Sequence, residues 1–152
     1  MNEAQVEYSS ENISKNWKIL NYSNSPEEKR FANLYLTNFK QKCPNCLEIS
    51  FQLFNSPNLE DKLISSILIY QHIKENPREL LENQQLFNDI KAYFLNKILI
   101  PYTILSKENI NDQNNAYLKG IDNPLIIERI CYSMSIILML GCCSFCQMLI
   151  SL

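Results

Sequence analysis

The chain has 152 residues, of which 46% are hydrophobic, a length and composition typical of one globular domain. Its formal net charge of -2 argues against nucleic-acid binding, because phosphate contacts need a basic surface. The whole chain has only 2 glycines, which disfavours β-sandwiches, barrels and phosphate-binding loops. The first residues contain no secretory signal, so we expect the six cysteines to be reduced, in cytoplasm or nucleus.

The helical pattern begins after a short polar segment. We expect residues 1–10 to form a flexible tail. Ile13, Trp17 and Leu20 then form an apolar stripe, which predicts a helix over 12–22.

A second helix start follows at Ser25, where the local sequence combines three start signals. Ser25 can cap the helix, Pro26 suits the first helical position, and Glu28 stands where a capping-box carboxylate belongs. The apolar residues that follow recur at helical spacing and predict a helix over 26–41: Ala32, Tyr35, Leu36 and Phe39.

Four more helices are predicted by the same spacing, with asparagines and prolines at their ends. Their ranges are 44–55, 59–74, 86–98 and 124–140. Pro77 ends the 59–74 helix, because the residue before a proline is pushed out of the helical region. Asn123 and Pro124 begin the last helix as cap and first residue. Between the helices 86–98 and 124–140, Asn-rich and charged residues from Ser106 to Asn115 predict a disordered insertion loop within 99–123.

The six helices fall into three consecutive pairs joined by short turns. The second helices of the first two pairs begin at 26 and 59, a step of 33 residues that is typical of helical-pair repeats. The sequence therefore predicts an all-α fold of stacked antiparallel helix pairs, of the HEAT or armadillo kind. Such stacks usually form binding surfaces.

Several stretches resemble the N-terminal repeats of importin-β-like nuclear transport receptors, and those of the transportin-SR branch most. The segment 25–41 resembles the family's "P…K..A..WL..FQ" helix, 47–54 takes the place of "AW.I...LL", and 59–74 takes that of "FAA..L..KI". The resemblance covers 25–98 and 124–138. It departs from the family at Leu47, where Trp is usual, at Ile64-Ser65, where Phe-Ala is preferred, and in the longer loop 99–123.

The resemblance implies a fragment of a nucleocytoplasmic transport receptor, with N-terminal helical repeats over 11–140 and an apolar stub over 141–152. In the family, the second helices of the first repeats form a concave face that binds the GTP form of the GTPase Ran. Phenylalanine-glycine nucleoporins bind between helices on the outer face, and later repeats hold protein cargo. The implied location is nucleus and cytoplasm, with no enzymatic activity and no cofactor.

Under this resemblance, the polar stripe of helix 59–74 is the expected Ran-facing surface. Asp61, Ser65 and His72 lie within about 40° of one another on a helical wheel. The alternative is that these three residues form only a solvated face.

The last part of the chain supports an alternative hypothesis. The 23 residues of 130–152 carry no charge, and a bilayer-spanning helix needs about 20 apolar residues, so the chain could be a tail-anchored membrane protein. Register with the family favours a buried repeat helix instead. A plain helical-repeat scaffold that binds a peptide is the third possibility.

Two Cys-x-x-Cys motifs, Cys43 to Cys46 and Cys143 to Cys146, could hold zinc or act as a redox pair. They lie much further apart than the roughly 15–20 residues of a zinc ribbon, and no strand precedes the first, as a redox fold requires. His72 is the only histidine and has no nucleophile at helical spacing. We therefore expect no metal site and no catalytic residue.

Overall fold

The computed structural model describes residues 7–99 and 123–150, and within these ranges every regular element is a helix. The predicted all-α fold is thus confirmed. There are seven α-helices and one π-helical segment, which continues α6 and is labelled α7. Their bounds are α1 Ser10–Tyr22, α2 Pro26–Lys42, α3 Cys46–Phe54, α4 Leu59–Glu75, α5 Pro77–Glu82, α6 Gln84–Ala92, α7 Tyr93–Leu99 and α8 Pro124–Ile150.

Side-chain caps start α1, α2, α4 and α6, whereas α3 and α5 begin without one, and the cap of α2 lies where the local sequence predicts it. The Ser25 hydroxyl accepts a hydrogen bond from the Glu28 N–H at 3.3 Å, and Pro26 is the first residue of α2. The Glu28 carboxylate, however, accepts from the Ser23 hydroxyl, and the Ser25 N–H donates to that same hydroxyl. In a capping box, the Glu28 carboxylate would accept directly from the Ser25 N–H. Here the Ser23 hydroxyl lies between these two groups and bonds to both.

The helices form two layers, as an antiparallel stack of pairs requires. We call α1, α3, α6 and α7 the first-helix layer, and α2, α4 and α8 the second-helix layer. In the first layer, the rings of Phe51 and Tyr93 lie 4.2 Å apart, and the Tyr93 hydroxyl donates to Asn55 at 2.8 Å. In the second layer, the Tyr70 ring of α4 lies 6.0 Å from the Tyr132 ring of α8.

Two hydrophobic clusters hold the layers together, and α3 and α4 contribute to both. The first lies between α1, α2, α3 and α4 and consists of Ile13, Leu36, Phe39, Cys46, Leu53, Ile64 and Leu68. The second joins α3 and α4 to α5, α6, α7 and α8 through residues such as Phe54, Ile73, Phe94 and Ile130. Burial of a side chain of this size contributes about 1.5–3 kcal/mol, so the shared helices connect the two ends of the stack.

Several element bounds differ from the sequence-based expectation; α1, for example, begins at Ser10 and not at 12, and the predicted helix 86–98 consists of α6 and α7. Helix α3 begins at Cys46 and not at 44, because residues 43–45 form a turn closed by the Cys46 N–H on the Cys43 carbonyl at 3.3 Å. Pro77 ends α4 as expected but also begins the short helix α5. Of the predicted tail 1–10 and loop 99–123, residues 1–6 and 100–122 lie outside the described ranges.

Helix α8 continues to Ile150, past the expected end at 140, so the segment 141–150 is helical backbone and not a separate stub. No proline or charged residue follows Gly141 to end the helix. A Cβ at Gly141 would lie 3.5 Å from the Phe87 ring, an ordinary packing distance, so this glycine sits against α6 within a continuous helix.

A lysine is buried at the contact between α3 and α4. The Lys62 side chain is fully buried, and its Nζ donates to the Phe54 carbonyl at 2.9 Å. Phe54 ends α3, so the ammonium stabilises a carbonyl that the helix leaves without an internal partner. Burial lowers the pKa of Lys62 from its usual 10.5 to about 8, and the neighbouring Asp61 carboxylate opposes this shift only in part.

This lowered pKa predicts a pH-dependent stability. Above about pH 8 the folded chain releases the Lys62 proton, while the unfolded chain keeps it until about pH 10.5. The unfolded state then binds more protons, so this group increases stability with rising pH, by at most about 1.4 kcal/mol per pH unit. Urea unfolding followed by circular dichroism should show this increase in the unmodified chain and its loss in Lys62→Met.

The matched control is Lys18→Met, which removes an exposed lysine of α1 and should leave the increase unchanged. Parallel pH profiles for the unmodified chain and Lys62→Met would show that Lys62 titrates normally.

Candidate functional site

The three residues expected to face Ran lie on one side of α4, but that side faces the first-helix layer. The Asp61 carboxylate accepts hydrogen bonds from the Ser14 hydroxyl of α1 at 2.5 Å and from the Ser56 hydroxyl at 2.8 Å. Ser65 is fully buried and donates to the Ser50 carbonyl of α3 at 2.6 Å.

His72 completes this side of the helix, with its Nε2 3.2 Å from a Glu79 carboxylate oxygen of α5 and only 15% of its side chain exposed. The expectation that Asp61, Ser65 and His72 form one exposed surface is therefore wrong. The physical reason is that hydrogen bonds to α1, α3 and α5 satisfy these polar groups inside the stack.

The outward stripe of α4 lies roughly 180° away on the helical wheel. It consists of Ile67, Tyr70, Gln71 and Lys74, all at least partly exposed. Side chains of α2 and α8 flank this stripe. We call the resulting set the basic–aromatic surface, and its members are Lys40, Tyr70, Gln71, Lys74, Arg129 and Tyr132.

The Tyr70 ring is the centre of the basic–aromatic surface. The Arg129 guanidinium carbon lies 5.4 Å from the centroid of this ring, and the Lys74 Nζ lies 5.7 Å from it. Both distances fall within the range of cation–π attraction. The half-exposed Tyr132 ring packs against Tyr70 from α8, and the Lys40 ammonium donates to the Gln71 amide oxygen at 3.4 Å.

Among the described residues, the positive charges of this surface have no carboxylate partners. Within the described ranges the only ion pair is that of His72 with Glu79, so Lys40, Lys74 and Arg129 each lack one. Sequence reasoning missed this surface because its members come from three helices. The sequence carries two local signals for this surface. Tyr70 and Lys74 are four residues apart, and Arg129 and Tyr132 are three apart, so each pair lies on one helix face.

A groove of about 620 Å³ opens on the other side of the molecule, between α1 and α3. Ile19 and Leu53 contribute apolar surface to its lining, while Glu11, Lys15 and Lys18 contribute charges of both signs. Asp61 also lines the groove, so its carboxylate lies at the junction of α1, α3 and α4.

Helix α8 has two apolar sides with different surroundings. Ile126, Ile130 and Ile137 are buried against the rest of the stack, whereas Leu138 and Met139 are each 61% exposed. By length and composition the stretch Pro124–Cys142 could cross a membrane, and 28% of its most apolar window is buried within the fold.

The cysteine motifs offer no metal or redox centre among the described side chains. No group of three or more His, Cys, Asp or Glu residues there could hold a metal ion, and the side chains of Cys143 and Cys146 lie outside the described part. Burial raises the pKa of the Cys46 thiol to about 11, and the nearby Cys43 adds to this. A redox-active cysteine needs a lowered thiol pKa, so Cys46 lacks the required activation.

No protein-family model, curated protein or solved structure matches this chain. The basic–aromatic surface and the groove between α1 and α3 are therefore the candidate binding features of the described residues.

The hydrogen bonds of the half-buried Asp61 to Ser14 and Ser56 predict a structural effect on mutation. Asp61→Ala removes the acceptor of two hydroxyls from different parts of the fold, and we expect a loss of about 1–3 kcal/mol in unfolding free energy. Asp89→Ala is the matched control, since Asp89 is exposed and accepts only from Gln85 on its own helix. Its expected effect is within about 0.5 kcal/mol by urea titration. Equal effects of the two variants would place Asp61 at the surface.

The cysteines should differ in reactivity. We expect iodoacetamide at neutral pH to modify the exposed Cys131 and Cys142 in the folded chain, while Cys46 stays protonated and inaccessible. Peptide mapping by mass spectrometry measures the three sites separately, and the same reaction in denaturant serves as the control. Modification of Cys46 at the rate of Cys131 would contradict its burial.

Proposed function

We propose that this chain carries the N-terminal repeats of an importin-β-like nuclear transport receptor and acts by binding other proteins, with no catalytic step. The observation that carries the proposal is the two-layer order of the helix pairs. The second helices α2, α4 and α8 are joined by the Lys40–Gln71 hydrogen bond and the Tyr70–Tyr132 contact, so their outward sides form one surface.

The second-helix layer is the proposed docking face for Ran in its GTP form. The contact residues proposed here are those of the basic–aromatic surface, which replace Asp61, Ser65 and His72. Tyrosine and arginine are the side chains that most often dominate binding energy at protein interfaces, and Tyr70, Tyr132 and Arg129 supply them on this face.

The groove between α1 and α3 supports the second expected partner. It lies in the first-helix layer, between helices of neighbouring pairs, where the resemblance places phenylalanine-glycine nucleoporins. Ile19 and Leu53 provide apolar contacts for a phenylalanine ring in this groove. Protein cargo would bind to repeats beyond those of this chain, and the proposed location remains nucleus and cytoplasm.

The packing of α8 argues for this proposal over the membrane-anchor hypothesis. A bilayer-spanning α8 would have to leave the core that it shares with α4, α6 and α7. That would expose the side chains of these helices that now cover Ile126, Ile130 and Ile137. Burial of each such side chain is worth about 1.5–3 kcal/mol, so separation of α8 is costly.

Binding to Ran tests the proposal. We expect the immobilised full chain to bind Ran loaded with GTP at least about tenfold more tightly than Ran loaded with GDP, a difference of about 1.4 kcal/mol. Lys74→Glu should weaken binding of the GTP form because it reverses a charge beside Tyr70.

Arg78→Glu is the matched control, since Arg78 is an exposed residue of α5 outside the docking face. Surface plasmon resonance measures the unmodified chain and both variants with Ran in each nucleotide state. Equal affinity for the two nucleotide states would leave a plain helical-repeat scaffold as the better hypothesis.

A further inference from the structure

We infer that the basic–aromatic surface binds an extended acidic segment of a partner protein. The inference deepens the proposed function and rests on it for the choice of the second-helix layer as the docking face. It concerns the chemistry that this face selects, and its test does not involve Ran.

Positive charge is concentrated on one side of an acidic chain. Lys40, Lys74 and Arg129 come from α2, α4 and α8 and meet around Tyr70 and Gln71, while the whole chain has a net charge of -2. A local positive field on a negative protein attracts and orients a negatively charged partner.

The hydrogen-bond donors of these cations are available to a ligand. Among the described residues, the Lys74 ammonium and the Arg129 guanidinium have no carboxylate partner, and both lie over the ring of Tyr70. Lys40 has only the neutral amide oxygen of Gln71, at 3.4 Å. A guanidinium can bind a carboxylate through two parallel hydrogen bonds, so Arg129 is well suited to the side chain of an incoming Asp or Glu.

Two tyrosine rings lie beside the cations. Tyr70 and Tyr132 pack with their centroids 6.0 Å apart at an interplanar angle of 42°. They provide a polarisable surface beside the cations that can contact the methylene groups of a glutamate. The surface thus combines apolar area with charge, as a peptide site requires.

The surrounding charges favour a short peptide over a nucleic acid or an anionic membrane. Glu75 and Glu128 are exposed and directly adjacent in sequence to Lys74 and Arg129, and neither forms an ion pair. These carboxylates would repel a long polyanion that extends beyond the three cations. A narrow acidic segment can contact the cations while its flanking residues turn away.

The test is a titration of the full chain with a fluorescein-labelled polyglutamate peptide, followed by fluorescence anisotropy. We expect binding that weakens with added salt, and no comparable binding of a polyglutamine peptide of equal length. The double variant Lys74→Gln and Arg129→Gln should weaken polyglutamate binding by about tenfold or more. Circular dichroism checks its fold, and Lys74→Gln alone, at an exposed position, should give a smaller loss in the same direction.

The matched control neutralises two exposed cations outside the surface, Lys42 and Arg78, and should change the affinity by less than about twofold. Equal loss in both double variants, or equal binding of polyglutamine, would overturn the inference. Tighter binding of a single-stranded RNA than of polyglutamate would overturn the choice of a protein partner.

The Ran binding experiment and the polyglutamate titration together distinguish failure of the acidic segment from failure of the proposed function. Preference for the GTP form of Ran without polyglutamate binding would reject the acidic segment and leave the transport-receptor proposal intact. Polyglutamate binding without any nucleotide preference would keep the acidic segment and reject Ran as the partner.

Discussion

The hydrogen bonds between α4 and the first-helix layer determine which side of the molecule faces its partners. Ser65 donates to the Ser50 carbonyl, Lys62 donates to the Phe54 carbonyl, and Asp61 accepts from Ser14. Burial of any one of these groups without its partner would lower the unfolding free energy by about 1–3 kcal/mol. A rotation of α4 about its axis is therefore strongly disfavoured. The opposite side of α4 must then face outward between α2 and α8.

This constraint explains why the outward stripe of α4 is aromatic and basic while its inward side is polar. In most amphipathic helices the polar side faces water, because apolar burial decides the orientation. Here Ile64, Leu68 and Ile69 are also buried, so α4 buries both apolar and polar residues. A central helix that contacts neighbours on most of its circumference needs partners for its polar groups as well as for its apolar ones.

The packing of α8 against α4 contributes to both the core and the basic–aromatic surface. Its inner side completes the second hydrophobic cluster, and its first turns bring Arg129 and Tyr132 beside Tyr70. The proposed docking surface therefore depends on α8 staying in the stack. Its exposed residues Leu138 and Met139 lie further along the helix, and they explain why the same stretch also satisfies the criteria for a membrane span.

The sequence by itself determined most of the helices, because caps, prolines and apolar spacing act over a few residues. Ser25 and Pro26 begin α2, and Pro124 begins α8, where local chemistry places them. Only the tertiary structure decided that Asp61, Ser65 and His72 face inward, since their hydrogen-bond partners lie on other helices. It also brought Arg129 to Tyr70 across 59 residues of chain, and no local pattern encodes a contact between helices so far apart in sequence.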